Sequence, residues 1–147
     1  MSDHFAEVEW HFAEHPEQTS TYNRDHAVTL ENGVVIANSA APSYLGNATM
    51  SNPETLLLAA LASCHMLTFL AVTGKRGFQV SRYQDKAVGT LGKNDDGRMA
   101  ITHCTLRPII EFMGNAPSAE ELQKFHASAH RNCFIANSLS TTVEIIS

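Results

Sequence analysis

The sequence predicts a single α+β domain over residues 1–147, and three observations carry this prediction. The chain has 147 residues of which 44% are hydrophobic, the size of one domain with enough apolar material for a core. Stretches that alternate apolar and polar residues, a pattern typical of strands, lie on both sides of one long apolar stretch. No internal repeat or linker separates them. The predicted order is therefore strands, helix, hairpin, helix and strand.

The first strands are predicted before residue 40. Apolar residues alternate from Val8 to Phe12, which indicates a half-buried strand. Two further extended stretches, residues 22–30 and 34–37, are joined across Asn32-Gly33, a pair that favours a tight hairpin turn. Residues 38–52 are rich in Ser, Ala, Pro, Gly and Asn, and this composition predicts a loop.

A long helix follows that loop. Ser51 or Asn52 can cap it and Pro53 suits its first position, while the body over residues 55–73 is almost wholly apolar. A helix that is apolar all round is buried on most sides, or else spans a membrane. Polar residues at 63–65 and strand-rich surroundings favour burial, in a core or in a subunit interface.

The remaining chain is predicted to form a hairpin, a helix and a last strand. Ser118 and Glu121 have the spacing of a capping box, which predicts a second helix that ends near Arg131. Two long strands are predicted over residues 78–91 and 98–112, joined by a turn at residues 93–97. The last strand is predicted over residues 139–146.

Charge and cysteine usage limit the classes of function. Ten Lys and Arg against fifteen Asp and Glu leave a net charge of -5, which argues against a nucleic-acid partner and an anionic membrane surface. The acidic start of the chain does not resemble a signal peptide. Three cysteines cannot all pair within one chain. We therefore expect a cytoplasmic, reducing location in which thiols are kept for chemistry, metal or packing.

Three motifs surround the cysteines and the first arginine. Asn52-Pro53-Glu54 opens an apolar run to Ala62-Ser63-Cys64, with ten residues from Glu54 to Cys64. The other two are Ala129-His130-Arg131-Asn132-Cys133 and Asn23-Arg24-Asp25. In this order they resemble the first, second and third signatures of the OsmC/Ohr family, the osmotically inducible protein C-like and organic hydroperoxide resistance proteins, in which the first signature has the same interval of ten residues.

Some positions depart from the family pattern. Phe134 stands where a proline often follows the second cysteine, Tyr22 and Asn23 replace glycines before the arginine, and His65 follows the first cysteine. The chain is thus identified as a divergent member of the family.

The resemblance implies a fold, an activity and a set of site residues. The fold would have antiparallel strands around a long buried central helix, with a second helix, in an intertwined homodimer. Cys64 would attack a hydroperoxide and become a sulfenic acid, and Cys133 would resolve it as a disulfide. The substrates would be organic or small hydroperoxides and the reductant an external dithiol, in the family a lipoyl-type one. No cofactor and no metal are implied.

The chemistry and the helix geometry add two expectations. Burial raises the pKa of a thiol, so a reactive buried cysteine needs a cation, for which Arg24 is the candidate, with Glu54 holding its guanidinium. Ten residues of helix separate Glu54 from Cys64 by about 15 Å and turn them onto different faces. If both serve one site, Glu54 comes from the antiparallel helix of a second subunit, which predicts a homodimer with two composite sites.

Several alternatives stay open at this point. Cys104 is expected to be a packing residue, and His65 a core or interface histidine with a hydrogen-bonded ring. The spacing of His126, His130 and Cys133 suits a metal on one helical face, but no second pair of ligands accompanies them. The alternative function is a non-enzymatic OsmC-like dimer that binds a small apolar ligand or a metal ion. A third reading is a structural dimer with incidental cysteines.

Overall fold

A computed structural model describes all residues, 1–147, and divides the chain into two compact units, Met1–Leu56 and Leu57–Ser147. The boundary falls within the long helix, whose first residues belong to the first unit. Each unit is described by itself, and the prediction of one domain stays a prediction.

The first unit is a three-stranded antiparallel sheet in the order β1-β2-β3. Gly33 turns the predicted hairpin with a φ of 81°, which a residue with a side chain rarely adopts. The first strand ends at Glu9, three residues earlier than predicted, and the Trp10 indole just beyond it donates to the Asn23 carbonyl at 2.9 Å. The strands are β1 Ala6–Glu9, β2 His26–Leu30 and β3 Val35–Asn38.

Helix α1, Pro53–Lys75, confirms the predicted long helix. Of the two predicted caps, Asn52 makes the bond, since its Oδ1 accepts from the Thr55 backbone N–H at 2.9 Å. The fully buried residues of α1 recur at every fourth position and form one stripe along the helix. They are Leu61, His65, Phe69 and Thr73.

The other faces of α1 stay apolar but uncovered. Leu67 is 60% exposed and Leu70 is 36% exposed. By length and composition α1 is also apolar enough to cross a membrane, but core helices of soluble proteins can have the same length and composition. Apolar surface on this scale fits an interaction site.

The second unit contains two small sheets, of order β4-β7 and β5-β6-β8. Each predicted long strand is in fact two strands, because the chain bends at Asp85 and Arg107 to pass from one sheet to the other. Asp85 Oδ1 accepts the Arg107 backbone N–H at 2.7 Å at this crossing. Strand β8 pairs in parallel with β6. The strands are β4 Gln79–Asp85, β5 Val88–Lys93, β6 Met99–Leu106, β7 Pro108–Met113 and β8 Thr142–Ile145.

Helix α2, Ala119–Asn132, begins with the predicted capping box. The Ser118 Oγ accepts the Glu121 N–H at 3.2 Å, and the Glu121 carboxylate accepts the Ser118 N–H at 2.9 Å. A short helix that the sequence does not predict, α3 Phe134–Asn137, follows at once.

The core of the second unit has two parts. The cysteine cluster consists of buried Leu61, Cys104 and Cys133, with Cys64 among the half-buried residues packed on it. The aromatic cluster consists of Phe69, Phe125 and Ala129 with partly buried neighbours from β4 and β7. Both clusters pack against the same stripe of α1.

Candidate active site

Cys64 and Cys133 lie together in the cysteine cluster, as the motif resemblance implies. Cys64 is in the middle of α1, and Cys133 is the residue between α2 and α3. Their thiols are hydrogen-bonding neighbours and neither is in a disulfide. Cys133 is fully buried, whereas Cys64 is half-buried. The more accessible thiol of the pair is therefore Cys64.

The environment of Cys64 favours its thiolate. Burial works against ionisation, but hydrogen bonds from the Ile135 backbone N–H and the Cys133 thiol outweigh it, with a further one from the Phe134 backbone N–H. Together they hold the pKa of Cys64 below its ordinary value. A thiolate is the nucleophilic form of cysteine, so Cys64 has the environment of a reactive thiol.

Cys133 is shifted in the opposite direction. Burial raises the pKa of its thiol, and the neighbouring Cys64 raises it further, although the Ala136 backbone N–H donates to its sulfur at 3.4 Å. The pair thus consists of one thiol that ionises readily and one that stays protonated. This asymmetry makes Cys64 the better nucleophile of the pair at neutral pH.

The short helix α3 is the part of the site that sequence reasoning missed. Its first two N–H groups, on Phe134 and Ile135, face the Cys64 sulfur, whereas the sequence pointed to a cation for this task. Four residues are too few to produce a helical period, so no periodic pattern indicates them. These backbone N–H groups lower the pKa of Cys64, and the role of Arg24 stays a prediction.

Cys104 packs in the cysteine cluster from strand β6. It is 1% exposed, and burial alone raises the pKa of its thiol. The expectation of a packing cysteine agrees with this position, since a buried protonated thiol is inert.

His65 is a buried histidine with a hydrogen-bonded ring, as expected. Its Nε2 lies 3.1 Å from His126 Nδ1 of α2, and the two rings meet edge to edge with their planes 10° apart. Burial lowers the pKa of both histidines to about 4. Both rings are therefore neutral at physiological pH.

Arg24 and Glu54 belong to the first unit. The Arg24 guanidinium donates to Thr21 Oγ1 at 3.0 Å and to the Tyr22 carbonyl, and it stacks 4.0 Å over the Tyr22 ring. Glu54 lies in the first turn of α1, with one buried carboxylate oxygen that has no hydrogen-bond partner. The two side chains form no ion pair within the chain, so their shared role remains a prediction.

The candidate metal ligands are not arranged around a metal. His126 is bound to His65, and Cys133 faces Cys64. No group of three or more His, Cys, Asp or Glu side chains has the geometry to hold an ion.

The comparisons with known proteins agree on a family. Residues 46–147 match the family model of OsmC-like proteins. A solved OsmC-like protein of unknown function from Vibrio cholerae is 40% identical, with a TM-score of 0.90 over 99% of this chain and 100% of that one. The chain therefore belongs to the OsmC family, as the motifs indicated.

More distant relatives share the fold. An organic hydroperoxide resistance protein of Bacillus subtilis, OhrB, is 18% identical with a TM-score of 0.71 over 98% of this chain and 96% of that one. A Legionella pneumophila protein of that name is 16% identical, with a TM-score of 0.74 over 99% and 94%. The uncharacterised Bacillus subtilis protein YmaD is 24% identical over 84% of this chain and 83% of its own.

Proposed function

We propose that this protein is a cysteine-based peroxidase that reduces organic or small hydroperoxides to alcohols in defence against oxidative stress. The observation that carries the proposal is the neighbouring pair of free thiols, Cys64 and Cys133, whose pKa values are shifted in opposite directions. The name of the distant structural relatives, organic hydroperoxide resistance proteins, supports a peroxide-related redox role.

The proposed reaction has two steps, followed by reduction of the disulfide. The Cys64 thiolate attacks one peroxide oxygen, the O–O bond breaks, and the leaving alkoxide takes a proton to become the alcohol. Cys133, as its thiolate, then attacks the Cys64 sulfenic acid, the S–O bond breaks, and hydroxide leaves as water. An external dithiol, for which the family suggests a lipoyl type, returns two electrons to the disulfide. A reducing cytoplasm would supply it.

Arg24 and Glu54 are proposed to bind the peroxide and hold the transition state. A guanidinium donates hydrogen bonds in a planar fork that matches two neighbouring oxygens, and a carboxylate can orient it. The unpartnered buried oxygen of Glu54 supports this role because a buried carboxylate oxygen needs a donor.

Helix geometry supports a homodimer with composite sites, if Glu54 and Cys64 serve the same peroxide. Glu54 and Cys64 are both within α1, ten residues and about 15 Å apart along its axis. One α1 therefore cannot bring both side chains to the same peroxide, whereas the antiparallel α1 of a second copy can. The uncovered apolar faces of α1, such as that of Leu67, support the same assembly.

The distribution of charge also favours a second copy as the partner. The first unit holds eight acidic residues and a single cation, Arg24, whereas the second holds seven acidic residues and nine cations. Four of those nine line a groove of 1260 Å³ between α1 and α2, beside exposed Leu67 and Phe134. The acidic, aromatic-rich first unit of one subunit complements this basic and apolar groove of the other. The four cations are Lys75, Arg76, Lys124 and Arg131, and they outnumber the one acidic lining residue, Glu121.

The experiment is mass spectrometry after one equivalent of tert-butyl hydroperoxide. The wild type should form a Cys64–Cys133 disulfide and release tert-butanol, Cys64→Ser should form neither, and Cys133→Ser should stop at the sulfenic acid. Cys104→Ser is the matched control, because Cys104 belongs to the same cluster but takes no part in the proposed reaction. This variant should form the Cys64–Cys133 disulfide as the wild type does. No oxidation of the wild type, or oxidation at Cys104, would leave the alternative of a non-enzymatic, ligand-binding dimer.

A further inference from the structure

Two buried histidines join the helices that carry the two cysteines. His65, which follows Cys64 in α1, and His126, which lies two turns before Cys133 in α2, meet at 3.1 Å between Nε2 and Nδ1. Their exposed fractions are 1% and 4%. This hydrogen bond is thus a buried polar contact between α1 and α2, with His130 as a third imidazole close to His65.

The rings have little freedom to move. His126 also stacks on Phe69, with ring centroids 4.5 Å apart, so one face of its ring packs on Phe69 while its Nδ1 edge meets His65. At neutral pH neither histidine is charged, and one N–H donates to the lone pair of the other. Such a bond has a narrow range of distance and angle, and it fixes how α1 is placed against α2.

Efficient packing alone does not explain why two histidines occupy positions 65 and 126. His65 Nδ1 and His126 Nε2 are buried and have no hydrogen-bond partner, which costs free energy that two apolar side chains would not. The contact is directional, so its effect falls on the geometry between the two helices. The geometry at stake is that of the neighbouring thiols, because a disulfide forms only over a narrow range of Cβ separations.

We propose that His65 and His126 are positioning residues for the resolving step, and that they hold Cys133 in line with the sulfur of oxidised Cys64. The inference rests on the proposed function. In that step the Cys133 thiolate attacks Cys64 Sγ, the S–S bond forms, the S–O bond breaks and hydroxide leaves. Neither ring contacts the reacting sulfurs in this role, since each acts through the helix that carries it.

The test separates the two steps of thiol oxidation. With one equivalent of tert-butyl hydroperoxide, His126→Leu should consume peroxide within about twofold of the wild-type rate but form the disulfide about tenfold more slowly or worse. A sulfenic acid trap such as dimedone should then label Cys64 in the variant and hardly at all in the wild type. His126→Asn, which keeps a polar atom near the Nδ1 position, should recover much of the resolving rate.

Two further variants show whether a slower resolving step is due to loss of the hydrogen bond. Phe125→Leu alters packing at the neighbouring α2 position without touching the hydrogen bond, so it should leave the resolving rate unchanged. If His126→Leu does not fold, His126→Phe retains a ring that can stack on Phe69 and lacks the nitrogen. Equal disulfide rates in the wild type and the folded variant, or an equal slowing in Phe125→Leu, would overturn the proposal.

The proposal can also be tested if the peroxidase activity fails. If peroxide does not oxidise the wild type, the equilibrium of the Cys64–Cys133 dithiol with glutathione still measures how well the two sulfurs are aligned. We expect the disulfide to be about tenfold less favoured in His126→Leu than in the wild type. An unchanged equilibrium would refute the positioning role independently of the proposed function.

Discussion

The thiol of Cys64 lies beside that of Cys133, and the protein lowers the pKa of the first while it raises the pKa of the second. The difference arises from the break between α2 and α3. Cys133 caps α3 and is fully buried, and the N–H groups that follow it face the Cys64 sulfur. The same short segment therefore supplies one thiol of the pair and stabilises the thiolate form of the other.

Alkylation should distinguish the three thiols by their environments. At pH 7 and with limiting iodoacetamide we expect Cys64 to be carboxamidomethylated first, because its lowered pKa gives it the largest thiolate fraction and it is half-buried rather than buried. Peptide mapping over time measures the order. Cys133 and Cys104, both buried with raised pKa values, should follow only slowly. Modification of Cys133 before Cys64 would contradict the assignment.

Elements with strong local signals could be predicted from the sequence. The apolar run with Asn52 before it identified α1, the spacing of Ser118 and Glu121 identified the start of α2, and Asn32-Gly33 identified the first hairpin. Each signal depends on contacts within a few residues of chain. The pairing of Cys64 with Cys133 came from motif resemblance instead, since no local rule relates positions 69 residues apart.

Features that depend on distant contacts could not be predicted. The two long predicted strands divide where Asp85 accepts the Arg107 N–H, a bond between residues 22 apart in sequence. The parallel pairing of β8 with β6 and the bond from His65 to His126 are likewise tertiary. Helix α3 is local but too short for a periodic pattern.

Composite active sites should allow two inactive variants to restore each other. Arg24→Ala and Cys64→Ser should each lack peroxidase activity, but a heterodimer of the two would hold one site with both residues intact. Refolding an equal mixture should therefore recover about a quarter of the wild-type activity. A mixture of Cys64→Ser and Cys133→Ser, whose altered residues belong to the same site, is the matched control and should recover none. An inactive first mixture would show that each site lies within one chain.

The uncovered face of α1 should be needed for dimer formation. Leu67 is 60% exposed in the single chain, so Leu67→Asp would place a charge in the proposed interface and shift the protein toward a monomer of 16.1 kDa. Sedimentation velocity measures the shift, and peroxidase activity should fall with the dimer fraction. Met99→Asp is the control, because Met99 is similarly exposed, at 55%, but lies on strand β6. If the Leu67→Asp protein remains fully dimeric, this face of α1 is not the dimer interface.

The His65–His126 pair should make the protein less stable in mild acid. Burial lowers the pKa of both rings to about 4, against 6.5 for an ordinary histidine, so between these values the unfolded chain binds protons that the folded chain does not. The free energy of unfolding should therefore fall as the pH is lowered from 6.5 to 4, by up to about 1.4 kcal/mol per pH unit for each ring. Asp85, whose pKa burial raises, contributes a slope of opposite sign that is common to all variants. Urea denaturation at several pH values should give His126→Asn a shallower slope than the wild type, and equal slopes would contradict the assignment.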